Sequence, residues 1–225
     1  SITLDGQWEF YWNKLAHPND FKSRRSNKIN YLTVPGQWIG KRINGKKIPG
    51  KGFATYRLKI RRNSDDTLMS LKLFYVLSAF KVWVNGKLVS VYGDVSATEY
   101  SKKQYVFPAY HLPKFTLDRN INEVVLQVLN YHNDSGGFLH SIELGTAEAI
   151  KKSNINRIIY VVLIAGCIFF IGIYNFFQYL FRKIDTTPLI FFFLTFNWFI
   201  NTMVLHTPIM DHYGFNQKTI YIIDY

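Results

Sequence analysis

The sequence predicts an all-β jelly-roll or β-sandwich domain followed by transmembrane α-helices. Three observations predict it. Residues 1–150 break into eight short apolar stretches separated by turn residues. An Asn85-Gly86 pair joins two of those stretches. The run 158–181 (IIYVVLIAGCIFFIGIYNFFQYLF) then holds no charged side chain at all.

Gly, Pro, Asn and Asp punctuate the first 150 residues, with β-branched and aromatic side chains between them. Strands are expected at 7–12, 30–34, 54–62, 68–76, 79–84, 87–92, 123–131 and 138–144. Alternation runs through Tyr56-Arg57-Leu58-Lys59-Ile60 and Phe80-Lys81-Val82-Trp83-Val84. That period of two gives a strand one buried and one wet face, as an antiparallel sandwich requires. Asn-Gly between apolar runs is a strong hairpin signal, because both turn positions need positive φ. The stretch 35–53 is too long for a turn, and loops beyond ~12 residues in compact domains are usually functional. Counting strand directions places the loops 35–53, 77–78, 93–103 and 131–137 at one rim. The turns at 63–67 and 85–86 fall at the other, beside the exit towards residue 150.

Charge and composition divide the chain at the same place. Residues 1–150 carry 21 of the 27 Lys and Arg and 12 of the 15 Asp and Glu, whereas residues 151–225 are mostly apolar. The net charge of +12 fits nucleic acid or anionic lipid equally well. However, the basic residues are scattered or paired, with no zinc-ligand spacing or RNA-binding aromatic signature, so no nucleic-acid partner is expected. The single cysteine, Cys167, lies inside the apolar run. The β domain therefore stands on its core without a disulfide. The first residues already show a strand pattern and the last break off within an apolar run, so both ends read as trimmed from a longer chain.

A helix rises 1.5 Å per residue, so ~20 apolar residues cross the hydrocarbon of a bilayer. The run 158–181 meets that length, bounded by Arg157 and by Arg182-Lys183. A second run, 188–205, holds Asn197 and Asn201 on one helix face, and a third begins near 218. An amide facing hydrocarbon is costly, so that face is expected to meet another helix. Basic residues flank both ends of the first span, which leaves the positive-inside rule close to silent on sidedness.

The segments LDGQWEFYW (4–12), VPGQW (34–38), GFATYRL (52–58), AFKVWVNGKLV (79–89) and LNYHNDSGGF (129–138) together resemble the galactose-binding-like jelly roll of family 2 glycoside hydrolases. In order and in the helix that follows, the chain resembles still more closely the outer part of bacterial seven-transmembrane receptors with diverse intracellular signalling modules. That resemblance implies a jelly roll at 1–150 that senses a small-molecule or carbohydrate ligand outside the bacterial inner membrane. It also implies a transmembrane region from 151 and a cytoplasmic cyclase, kinase or phosphatase output domain. The chain departs from the family in holding two complete spans and no output domain.

Candidate ligand-binding residues lie in the long loops. Trp38 and Tyr56 flank the stretch 35–53, and aromatic rings stack on the apolar faces of sugars; the alternative is plain core packing. Asn130, His132, Asn133 and Asp134, followed by Gly136-Gly137, form the densest polar cluster. Amides and carboxylates partner sugar hydroxyls, but the same residues make self-satisfied turns. Tyr92, Asp94 and Glu99 are further candidates. His132, His140 and Asp134 match no compact zinc spacing, so no metal or cofactor is expected. Asp5, Glu9, Glu123 and Glu143 are scattered, and no nucleophile elbow or phosphate loop appears. The expectation is a non-catalytic receptor portion, with an adaptor that pairs with itself or another subunit, or a tethered carbohydrate-binding module, as the rivals.

Overall fold

The computed structural model describes residues 1–22, 29–43, 45–62, 68–73, 79–96, 111–118 and 120–206. The chain divides between Ile150 and Lys151 into two compact units. The first is β-rich and multi-sheeted. The second holds two long apolar helices.

Fourteen strands are described, numbered in chain order: β1 Ile2–Thr3, β2 Gly6–Trp12, β3 Asn30–Val34, β4 Gly36–Gln37, β5 Arg42–Ile43, β6 Lys46–Lys47, β7 Gly52–Arg62, β8 Leu68–Lys72, β9 Ala79–Val84, β10 Lys87–Tyr92, β11 Lys114–Thr116, β12 Asn120–Asn130, β13 Gly137–Phe138 and β14 Glu143–Thr146. Six of them form an antiparallel sheet in the order β10-β9-β12-β7-β2-β3, and four form a second in the order β1-β14-β8-β11. One apolar cluster joins the two layers. It takes Phe10, Tyr56, Val82 and Leu126 from the larger sheet, and Leu71, Phe115 and Leu144 from the smaller. This is the arrangement of a β-sandwich.

The larger sheet is covered on its second face too. Thr55, Val125 and Leu129 point away from the main cluster yet are buried. The segment after β2 lies over them: Ala16 N donates to Thr55 Oγ1 at 2.9 Å and Gln127 Nε2 donates to the Ala16 carbonyl at 3.0 Å. Thr55 Oγ1 in turn donates to the Lys14 carbonyl. Thr55 and the Gln127 amide group thereby find partners, as burial demands.

Two sequence expectations need correction. The expected strand 138–144 is split between sheets: β13 pairs with β4, whereas β14 pairs with β1 and β8. Phe138 is drawn into the core edge-on against Tyr56, with ring centroids 5.0 Å apart, and the chain crosses to the other layer before Glu143. The stretch 35–53 is not confined to one rim. Val34 pairs with Gly6, at the end of the larger sheet opposite to Gly52 and Asn130. The chain must therefore climb the length of the sandwich, and it buries Trp38 on the way. The expected loops at 63–67 and 77–78 lie outside the described residues.

The second unit begins within a helix that continues directly from β14. Helix α1 spans Ala147–Phe181 and α2 spans Thr187–His206. Both are long and apolar enough to cross a membrane. They pack through aromatic rings, Phe169 on Phe199 and Phe176 on Phe192, each at 5.0 Å between centroids. Asn201 is half-buried and Asn197 exposed, so the amide pair is not enclosed by this helix pair. The third expected span, from 218, lies outside the described residues.

Candidate functional site: the rim at the end of β12

Register fixes which residues share an end of the larger sheet. Asn130 lies opposite Gly52, Leu129 opposite both Phe53 and Ala79, and Tyr92 opposite Phe80. The turn 131–136, the residues after Tyr92 and the return of the long segment into β7 therefore meet at one rim. Beneath them Ala79, Val95 and Leu129 form a small apolar cluster, with Leu15, Phe53, Tyr92 and Tyr131 packed against it. The rim thus rests on a floor of its own.

Asn130 organises the turn. Its buried amide donates to the Gly50 carbonyl at 2.9 Å and to the Asn133 carbonyl at 3.0 Å, and its Oδ1 accepts from Asn133 N at 3.2 Å. Both amide protons and one lone pair of the oxygen are committed to backbone, so Asn130 positions the turn and has little left to offer a ligand. His132 and Asn133 are half-buried, while Asp134 is exposed with Lys51 Nζ 3.8 Å from its carboxylate. Tyr92 is half-buried against His111 and Phe80, with ring centroids 4.2 and 5.8 Å away. Asp94 accepts from Ser96 Oγ at 3.0 Å, and Lys81 Nζ donates to the Val95 carbonyl at 3.1 Å. Burial lowers the His111 imidazole to about 4. Glu99 lies outside the described residues.

Trp38 and Tyr56, expected as sugar-stacking candidates or as core, lie in the core. Both are wholly buried, stacked on one another at 6.3 Å between centroids with Phe10 beside them. A sugar needs an open ring face, and neither residue presents one. Trp38 instead donates its indole N–H to the Gly50 carbonyl at 2.8 Å, the same oxygen that Asn130 holds. Burial alone pushes the Tyr56 phenol far up. The glycines have packing reasons too. A Cβ on Gly136 would lie 2.1 Å from the Trp38 ring, and one on Gly50 would lie 1.7 Å from the Asp134 carbonyl oxygen.

Of the expected residues, the structure gathers Asn130, His132, Asn133 and Asp134 in one turn. Tyr92 and Asp94 lie at the same end of the sheet on the edge strand β10 and beyond it. Lys51 and Tyr131 belong to the same rim and escaped sequence reasoning, although each adjoins a strand end. The assembly offers amide, carboxylate, ammonium and phenol groups over an apolar floor. Such a set suits a ligand rich in hydroxyls.

A second polar cluster lies on the outer face of the larger sheet. Arg57 Nε donates to Glu123 Oε1 at 2.6 Å and its Nη1 donates to Glu9 Oε2 at 3.0 Å. The guanidinium also lies 4.5 Å above the Phe21 ring centre. Tyr11 donates its hydroxyl to Glu9 at 2.8 Å, and burial, with Glu9 adding to it, pushes that phenol up to about 12. These carboxylates, far apart in sequence, converge on one cation and bracket a filled position instead of an open cleft. Among the described residues no three His, Cys, Asp or Glu side chains are grouped to hold a metal ion.

No known family model matches the chain, and no curated protein matches it. Solved structures do. A Faecalibacterium prausnitzii β-glucuronidase is 16% identical over 57% of this chain and 20% of its own length, with a TM-score of 0.42. An uncultured Clostridium β-glucuronidase is 12% identical over 64% and 28%, at 0.47. The Ruminococcus gnavus β-glucuronidase is 14% identical over 64% and 28%, at 0.46. The chain thus spans between a fifth and under a third of those enzymes, and at these scores the likeness carries no argument about its activity.

Proposed function

We propose that this chain is the sensing and anchoring portion of a bacterial membrane receptor. In this reading the β domain is a jelly roll outside the inner membrane. Its rim at 131–134, with Lys51, Tyr92 and Asp94, binds a carbohydrate or similar hydroxyl-rich small molecule. The apolar helices hold it in the bilayer and pass the signal to an output domain within, of the kind that the receptor resemblance implies. The portion itself performs no catalysis.

One observation supports the coupling above all. Thr146 is the last residue of β14, and its Oγ1 accepts from Ala149 N at 3.3 Å as the N-cap of α1. Strand and helix therefore share a single residue, with no linker to absorb a displacement. A ligand drives such a displacement only through its different affinity for two states. The test is a glycan panel titrated against the full chain in nanodiscs. Binding that falls at least ten-fold in the Asn133→Ala, Asp134→Ala double variant supports the reading; no binding to any glycan overturns the carbohydrate part of it.

A second reading, self-association, rests on edge strand β10, where Leu88 and Val91 are 53% and 47% exposed. Among the described residues only β9 pairs with β10, and an open apolar edge invites strand pairing. Crosslinking in membranes that disappears on Val91→Lys would favour it.

A further inference from the structure

Among the described residues, cations are densest on the hairpin formed by β5 and β6. It carries Lys41, Arg42, Lys46 and Lys47, all exposed, and Lys51 follows at its foot. No Asp or Glu occurs from residue 35 to residue 51. Among the described residues none of the four hairpin cations makes an ion pair; the one carboxylate nearby, Asp134, faces Lys51. Arg42 and Lys47 are direct cross-strand partners. Like charges placed opposite one another weaken a strand pair, and strands of two residues have little else to offset it.

The hairpin is nonetheless fixed. Gly40 N donates to the Ile48 carbonyl at 3.0 Å and Ile48 N donates to the Lys41 carbonyl at 2.9 Å. Ile48 is buried and Ile43 packs on the main core. Alternation then turns the Arg42–Lys47 face away from the core. The Gly50 carbonyl, held by both Trp38 and Asn130, ties the foot of the hairpin to the 131–134 turn. Cations kept at a cost in stability, on a rigid mount beside a polar rim, point to a polyanionic partner.

We propose that the β5–β6 hairpin recognises the negative charges of an acidic polysaccharide, one with carboxylates on successive sugars. Three cations on the two strands, with Lys41 just before them, spread charge over both faces of the hairpin and match a repeating array of charges better than a single anion. Residues 39–51 contain no aromatic side chain on which a nucleobase could stack, whereas the adjoining turn supplies amide and carboxylate groups for sugar hydroxyls. The proposal rests on the carbohydrate reading of that turn and narrows its ligand to a charged polymer.

The test uses the full chain in zwitterionic nanodiscs with two probes, polygalacturonate and its fully methyl-esterified, uncharged form. Polygalacturonate is expected to bind more tightly than the ester and to weaken with added salt. The Arg42→Gln, Lys46→Gln, Lys47→Gln variant should lose about ten-fold in affinity for polygalacturonate, with a melting temperature at or above that of wild type and unchanged affinity for the ester. Equal binding of both probes, or a variant that binds polygalacturonate as wild type does, overturns the hairpin proposal and leaves the carbohydrate reading standing. Failure of both probes together with a neutral glycan panel removes the two at once. Binding to phosphatidylglycerol vesicles without binding to polygalacturonate assigns the hairpin to lipid and overturns the proposal.

Discussion

At Arg57 one guanidinium balances two carboxylates, Glu9 and Glu123, with side-chain exposures of only 13%, 16% and 22%. Removing the cation leaves two partly buried anions facing each other, which costs far more than the pair contributes when intact. Arg57→Met is expected to lose about 2–4 kcal/mol in urea unfolding. Arg57→Lys should recover only part, because a point charge cannot bridge both carboxylates. His111 makes a second residue-scale prediction. Its folded-state value of about 4 lies below the ordinary histidine value. The unfolded chain therefore binds the extra proton between about pH 6.5 and 4, and stability falls as pH drops through that window. His111→Phe should flatten that part of a melting-temperature profile. The reverse case is Glu143, where burial raises the carboxyl but Lys72 Nζ, 2.7 Å away, outweighs it and holds the value low. That contribution is full above the ordinary carboxylate range and disappears on acidification through the lowered value, so Lys72→Met should lose less relative to wild type in acid than at neutral pH. Alternation in the sequence marked Arg57 as polar and outward. Its partners stand 48 and 66 residues away, a separation that no local pattern encodes.

Among the elements, those with clean alternation or a diagnostic turn were legible. β3, β9 and β10 form at their expected bounds, and Asn85-Gly86 makes its hairpin with φ of 50° and 79°. Strands of two or three residues, such as β4, β5, β6 and β11, offer too short a window for any period to show. The site suffered most from this. β4 and β13 exist because Gly136 and Gly137 let the chain approach Trp38 and Gly36, a packing reason that reads in sequence as room for a ligand. Gly136→Ala must displace the Trp38 ring, so it is expected to destabilise the domain by about 1–3 kcal/mol and to weaken rim binding with it. The helix pair depends on a similar approach: a Cβ on Gly172 would lie 2.8 Å from Thr195 Oγ1. Small residues permit close packing of apolar helices. Gly172→Leu should separate α1 from α2, measurable as lost disulfide crosslinking between Cys pairs placed at Phe169 and Phe199.

For the whole molecule, the hydropathy break near Arg157 located the helical region, yet the helix itself begins ten residues earlier, at Ala147. Hydropathy could not show this, because residues 147–157 are polar enough to read as a connector. Under the receptor reading, a coiled connector would let the β domain move without consequence, whereas a helix capped by the final strand residue would carry a shift of β14 along its axis. Cys167, the one cysteine of the sequence, is exposed on that helix and takes an environment-sensitive fluorophore without further mutation. Under the receptor reading, ligand added to the full chain in nanodiscs should change its emission. Inserting Gly-Ser-Gly-Ser between Thr146 and Ala147 should leave ligand affinity and the domain's melting temperature as they were, and abolish the emission change. Should the insertion variant respond as wild type does, rigid passage from β14 into α1 is not the route by which the rim speaks to the membrane.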